Sequence, residues 1–166
     1  NGDGLLDLND KYRYKSPDPK VFLGFSSQFS YKKWSLAFTM RAQFGNYMYN
    51  NFHSNNGTYA NFRYTGYLGN VAENVLVTNF EGSDSRRYWS DYYVENASFL
   101  KMDNFNIGYH VGRFAKVLDL RLSATVQNAF VITEYSGLDP EIAGGIDNNF
   151  YPRPRIFSLN ANLNIF

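Results

Sequence analysis

The sequence contains no cysteine, which excludes a disulfide framework, a thiolate zinc site and a cysteine nucleophile, so hydrogen bonding and packing must hold the fold. Histidine is nearly as scarce: His53 and His110 are the two present, and neither has a sequence neighbour that builds a Ser/His/Asp or zinc constellation. Neither sign of charge prevails. Lys plus Arg number 16 against 15 for Asp plus Glu, and a net +1 leaves no electrostatic footprint for nucleic acid or an anionic surface. Long hydrophobic runs are also missing. No stretch approaches the roughly 18 apolar residues of a transmembrane helix, and mean hydropathy is −0.43, which excludes helical spans but not barrel strands. The chain opens Asn1-Gly2-Asp3-Gly4 without initiator Met, basic region or apolar leader, so an export signal is expected upstream or already removed.

What is abundant is aromatic. Phe, Tyr and Trp make up 19% of 166 residues, with 14 Tyr and 15 Phe, a bias towards strands. Period-two alternation places them. Val21, Leu23, Phe25, Phe29 and Tyr31 oppose Gly24, Ser26, Gln28 and Ser30, with Phe22 and Ser27 as exceptions; Trp34, Leu36, Phe38, Met40, Ala42 and Phe44 oppose Ser35, Thr39, Arg41 and Gln43. Lys32-Lys33 between them reads as a tight hairpin turn. A third strand spans 100–111, where Leu100 and Met102 have the opposite parity from Phe105, Ile107, Tyr109 and Val111; a β-bulge near Asp103-Asn104 reconciles them. The fourth, 118–127, alternates without exception, and the fifth sets Phe157, Leu159, Ala161, Leu163 and Ile165 against Ser158, Asn160, Asn162 and Asn164. Two connections are short and two are long. The long ones, 45–96 and 131–155, are rich in Asn, Gly, Tyr, Ser and Asp, and loops of that length are uncommon unless functional.

A soluble sandwich also alternates, so alternation alone does not separate it from a membrane wall. Strands of about 11 residues at roughly 3.3 Å each, tilted about 45°, span about 25 Å, the height of a barrel's apolar band. Aromatics gather where strands meet turns: Phe29, Tyr31 and Trp34 at one end of the hairpin, Phe44, Tyr47 and Tyr49 at the other, as girdles at two interfaces would. Short turns at one end and long loops at the other match the periplasmic and extracellular sides of bacterial barrels. The fold expected is therefore all-β: about five antiparallel strands of a large transmembrane β-barrel with long extracellular loops.

Several motifs bear on chemistry. Residues 1–10 resemble the later positions of an EF-type calcium loop, where Asn1, Asp3, the Leu5 carbonyl, Asp7 and Asp10 would supply hard oxygen ligands around the turn at Gly4. A plain polar turn explains the same residues. Carboxylate pairs such as Asp84 with Asp91, or Asp139 with Glu141, read as solvated loop charges, and so does Arg86-Arg87. Gly144-Gly145 lacks the strand-to-helix context of a phosphate loop and reads as turn chemistry. Inward polar residues Arg41, Gln43, Arg121, Thr125 and Gln127 would line a lumen, either bracing a plug or touching a solute. Nothing here assembles a catalytic site.

Distributed motifs carry a family resemblance. Asn1-Gly2-Asp3-Gly4 with Asp7 and Asp10, then Ala97-Ser98-Phe99-Leu100-Lys101-Met102, Asn104-Phe105, Ile107-Gly108-Tyr109, Gln127-Asn128-Ala129-Phe130, Tyr135-Ser136-Gly137-Leu138-Asp139-Pro140-Glu141, Gly145-Ile146-Asp147 and Tyr151-Pro152-Arg153-Pro154-Arg155 occur in order. In this the chain resembles the C-terminal portion of the SusC/RagA family of TonB-dependent outer-membrane transporters. Asp103 departs from an expected basic residue, and Ala129 from a larger apolar one. The resemblance implies a 22-stranded barrel of the bacterial outer membrane, with a plug domain and the remaining strands outside residues 1–166. It also implies energy from the TonB complex, a SusD-like surface lipoprotein as partner and a glycan or peptide solute. Residues 1–18 would form an extracellular loop. No cofactor is required beyond a calcium ion at the opening loop, no covalent chemistry is done on the solute, and no nucleic acid is involved. Phe166 resembles a C-terminal signal for barrel assembly, although strand five alternates on the other phase. A second reading is a secreted soluble β-domain that binds carbohydrate through Tyr47, Tyr49, Tyr59, Tyr64, Trp89 and Tyr92.

Overall fold

The computed structural model describes residues 3, 8–62, 66, 69–78, 90–114, 117–148 and 151–165, with Phe114 by its backbone alone. The chain divides into two compact units: Lys20–Phe44 with Ser98–Glu134 and Pro152–Phe166, and Asn1–Pro19 with Gly45–Ala97 and Tyr135–Tyr151.

The first unit is one antiparallel sheet. Its strands are β1 (Val21–Tyr31), β2 (Trp34–Phe44), β5 (Phe99–Phe114), β6 (Leu118–Thr133) and β7 (Ile156–Ile165), in the spatial order β1-β2-β5-β6-β7. The hairpin between β1 and β2 turns on Lys32-Lys33, with Lys32 in the left-handed region at φ 52°. Register sorts the side chains as the alternation requires. Phe25 pairs with Met40, Leu36 with Ile107, Ile107 with Ala124 and Ala124 with Leu159, all in apolar rows, while Ser26, Thr39, Asn104 and Gln127 form a polar row behind them. The apolar side is open: Phe25 is 58% exposed and Leu159 88%. In a sandwich these positions would meet a second sheet.

The parity break in the third strand is a bulge. Thr39 pairs with Asn104 and Met40 with Met102, so Asp103 is the extra residue and Leu100 and Met102 rejoin the apolar face. A facing irregularity lies in β6, where Gln127 pairs with Asn104 and Phe130 with Met102; Asn128 there adopts φ 50°. A third sits at Val111, skipped between the pairs His110 with Arg121 and Gly112 with Leu120. These bulges let β5 and β6 run 16 residues each. The expected spans 100–111 and 118–127 stop short because alternation changes phase at each bulge.

The second unit occupies what the sequence presents as loops. Here β3 (Tyr47–Tyr49) pairs antiparallel with β4 (Val94–Asn96), and α1 (Asn51–Asn56) starts at Asn50, whose side chain caps it. Strands of three residues are too short to show a period, which is why they escape a sequence reading. The apolar core is small, with Met48, Ala97 and Tyr135 packed against Ile142. Polar residues fill out the interior: Asn50 and Ser54 are fully buried, and Thr58 and Asp147 nearly so.

Candidate functional site

The five inward candidates share one face of the sheet. Arg41 stands across from Gly24 and Lys101, Gln43 from Phe22 and Phe99, Arg121 from His110 and Asn162, Thr125 from Asn106 and Ser158, and Gln127 from Asn104 and Ile156. Their surroundings differ. Arg41 grips the bulge: its Nε and Nη2 donate to the two Asp103 carboxylate oxygens at 2.5 and 2.9 Å, a bidentate, charge-assisted pair. The bulge turns Asp103 towards Arg41, so the residue that departs from the family pattern has a structural role. Thr125 accepts from Asn106 Nδ2 at 2.6 Å. Arg121 and Gln127 are exposed, on a face that β7 extends with Ser158, Asn160, Asn162 and Asn164. This surface offers hydrogen bonds and cationic groups to whatever it faces.

His110 lies on the same face with a partner that the sequence conceals. Its Nε2 is 2.6 Å from Asp119 Oδ1, because the Val111 bulge sets Asp119 one step from the histidine across the strand pair. His53, in the second unit, is also engaged. Its Nδ1 lies 3.1 Å from Asn50 Nδ2, 3.3 Å from Ser136 Oγ and 3.9 Å from Glu95 Oε1. Ser, His and Glu thus meet, but not in the order a nucleophilic triad needs. The Ser136 hydroxyl donates to Glu95 Oε1 at 2.8 Å and its backbone N–H to Oε2 at 2.8 Å, so it is the serine, rather than the histidine, that the carboxylate holds by hydrogen bonds. Asn50 Nδ2 donates to Glu95 Oε1 at 2.9 Å, and Asn50 Oδ1 accepts from the His53 backbone N–H. The network ties α1, β4 and the Tyr135-Ser136 segment together.

A second clasp lies beside it. Tyr135 Oη donates to Asp147 Oδ2 at 2.7 Å in a buried setting, and burial, then the bond to Asp147, raises the phenol far above its ordinary pKa of 10.0. Gly137 is required there, since a Cβ would lie 2.4 Å from the Tyr135 ring. Gly144 and Gly145 take φ 89° and 73°, the turn chemistry expected of them, and the Gly145 carbonyl accepts from the Tyr49 N–H at 2.8 Å. The Asp147 N–H returns to the Tyr49 carbonyl. Motifs that carry the family resemblance, Tyr135-Ser136-Gly137 and Gly145-Ile146-Asp147, are therefore structural locks. Asp139 is buried and not a solvated loop charge; its carboxylate accepts from the Glu141 N–H and shapes its own turn.

The girdle reading of Tyr47 and Tyr49 needs correction. Both belong to the second unit, where Tyr49 Oη donates to Ser54 Oγ at 2.6 Å and Tyr47 lies beneath the Lys15 ammonium at 4.7 Å. Burial raises the Tyr49 phenol above its ordinary pKa. Tyr59 and Tyr92 are exposed; Tyr64 and Trp89 lie outside the described residues, as do Asp84 and Arg86-Arg87. So do Asn1, Leu5 and Asp7 of the calcium-like loop, and Phe166. Asp3 and Asp10 are described, and both make polar interactions.

No family model matches the sequence. Among known proteins it is similar to the TonB-dependent receptor SusC of Bacteroides thetaiotaomicron, with 38% identity over 98% of this chain and 17% of that protein. The TonB-dependent receptor P26 of Formosa agariphila is 27% identical over 98% of this chain and 19% of that protein. In fold the chain matches a segment of the RagAB peptide transporter, with TM-score 0.69 and 22% identity over 90% of this chain and 18% of that one. It spans less than a fifth of each of these three.

Proposed function

We propose, from its similarity to the TonB-dependent receptor SusC, that the chain belongs to the SusC/RagA family and is the C-terminal portion of an outer-membrane β-barrel that imports a nutrient solute using energy from TonB. One observation carries the reading at the level of this chain. The sheet presents an uncovered apolar face and a hydrogen-bonded polar face, and its outer strands β1 and β7 each have one unpaired edge. In hydrocarbon an unpaired edge costs several kcal/mol per backbone group, so such a sheet persists only when further strands close it into a barrel. In the intact protein β7 closes against the first strand of the N-terminal portion, and β1 continues the wall. The apolar rows then face lipid, while Arg121 and Gln127 face the lumen, next to plug or solute. In this reading the long connections, and the second unit with them, lie outside the cell. Phe166 would lie at the periplasmic end and serve barrel assembly.

Partners follow from the same reading: a SusD-like surface lipoprotein over the extracellular side, the TonB complex beneath, and a plug within. The solute is a glycan first and a peptide second. The RagAB transporter carries peptides, and the polar face of this chain, with its amides and guanidinium groups, serves a glycan or a peptide. The opening segment adds a calcium ion held by Asn1, Asp3, the Leu5 carbonyl, Asp7 and Asp10. Addition of a chelator then lowers the melting temperature of the intact receptor, and unchanged melting rejects the ion.

The proposal is tested on the intact gene product. It should sediment with outer membranes, resist salt and alkali extraction and dissolve only in detergent. Its deletion should abolish growth on one oligosaccharide or peptide source while leaving growth on the monomer intact. Recovery as a folded soluble monomer would return the argument to a secreted carbohydrate-binding domain.

A further inference from the structure

We propose that the apolar face of the sheet holds one phospholipid at a fixed position, an acyl chain lying in a groove and the phosphate at the Lys32-Lys33 turn. The inference rests on the membrane-wall reading above. A groove of about 390 Å³ crosses β2, β5, β6 and β7 on this face. Register explains its shape. One row runs Trp34, Tyr109, Leu122, Ala161, and the next runs Leu36, Ile107, Ala124, Leu159. Trp34 and Tyr109, with ring centroids 4.7 Å apart, raise one wall, and Leu159, 88% exposed, raises the other. Between them Ala124 and Ala161 contribute only methyl groups, so the floor stays low. Large apolar side chains throughout would have left an even surface. A trough bounded by taller apolar side chains suits a hydrocarbon chain laid along it.

Charge at one end selects the headgroup. Lys33 Nζ donates to the Val111 carbonyl at 3.0 Å and lies 3.8 Å from where a Cβ on Gly112 would be. Gly112 pairs with Leu120 in the apolar phase, one row beyond Tyr109, so this ammonium stands at the turn end of the groove, and among the described residues its bond to the Val111 carbonyl leaves donors over. Lys32 brings a second cation to the same turn, over the Tyr31 ring at 5.3 Å. The carboxylate of Asp119, on the adjacent strand, is turned to the opposite face, where it meets His110. An anionic phosphate therefore finds two cations and an aromatic rim at the mouth of an apolar trough, the pattern of an interfacial lipid anchor.

The experiment uses the intact receptor, delipidated in mild detergent, incubated with phosphatidylglycerol and analysed by native mass spectrometry. Wild type should retain one lipid per barrel. Ala161→Phe, which fills the trough, should lower retention several-fold, whereas Leu23→Phe, on the same face of β1 and away from the trough, should not. Lys33→Gln keeps a donor for Val111 and removes the charge, and should reduce the preference for phosphatidylglycerol over phosphatidylcholine several-fold. Retention by Ala161→Phe equal to wild type overturns the site, as does an equal loss in Leu23→Phe, or a second copy or another protein occupying the face in place of lipid. If Ala161→Phe does not reach the folded, heat-modifiable form, the Lys33→Gln comparison decides. A protein absent from the outer-membrane fraction defeats the wall reading itself; one present there without retained lipid defeats only this inference.

Discussion

The two units solve opposite problems with the same alphabet. In the sheet, apolar side chains point outwards and stay exposed, and order comes from ladders of backbone hydrogen bonds. In the loop unit the apolar core shrinks to a few residues around Met48, and polar side chains do the specifying, with Asn50, Tyr135 and Asp147 buried, Glu95 half-buried and Ser136 exposed. The contrast follows from the surroundings each meets. A wall whose neighbours are lipid can leave its large residues uncovered, whereas a long excursion from a barrel rim has too little apolar area for a core and relies on satisfied hydrogen bonds, each strong in a low dielectric. Mutations that are costly in one unit should therefore be mild in the other.

The largest expected effect comes from charging the apolar face. Ala124→Arg, near the middle of β6, should destabilise the intact barrel by about 2–4 kcal/mol in lipid, while Gln127→Arg, one row away on the polar face, should cost little. Urea unfolding in bilayers measures both, and equal penalties would erase the distinction between faces. Next is the buried clasp. Tyr135→Phe removes the donor to Asp147 and should cost about 1.5–3 kcal/mol, read as loss of amide protection in Tyr49 and its neighbours without change in the sheet. Its pH dependence has a definite sign. Because the folded-state pKa of Tyr135 is raised, the clasp is fully present below pH 10.0, its ordinary value, and stability falls as pH climbs above that. The phenylalanine variant should show a flatter decline there, and identical alkaline profiles would count against the clasp.

Gly137→Ala attacks the same clasp without touching its polar atoms. The added methyl collides with the Tyr135 ring, so a loss of about 1 kcal/mol or more is expected, with Tyr135→Phe adding little on top. Fully additive losses would separate the two. The smallest effect is stabilising: Lys32→Gly relieves a left-handed φ in the first hairpin and should gain about 0.5 kcal/mol or less, since glycine also loosens the unfolded chain.

The sheet was legible because its signal is periodic. Val21 to Tyr31, apart from Phe22 and Ser27, and Trp34 to Phe44, apart from Ala37, alternate, and their strands end where the pattern ends. Even the Asp103 bulge announced itself, as a parity break. The ends of β5 and β6 did not, since Val111 and Asn128 each shift the phase and cut the visible alternation short. Nothing in the spacing of His53, Glu95 and Ser136, or of His110 and Asp119, marks them as partners. Arg41 was visible as inward-facing, but its engagement with Asp103 depends on the direction in which a bulge turns one side chain. Among polar contacts, the glycines Gly144-Gly145 carried a local turn signal, but the bond from the Tyr49 N–H to the Gly145 carbonyl did not.

The sequence by itself determined which residues form the sheet and which of its faces is apolar, because a period of two is local and needs no partner to be read. Tertiary structure alone decided which strands neighbour one another, how three bulges rotate Asp103, Asn128 and Val111 out of the ladder, and which distant polar groups satisfy each other in the loop unit. Those choices are pairings between distant residues, 97 positions apart for Asn51 with Asn148, and they are fixed by geometry that no short window of sequence contains.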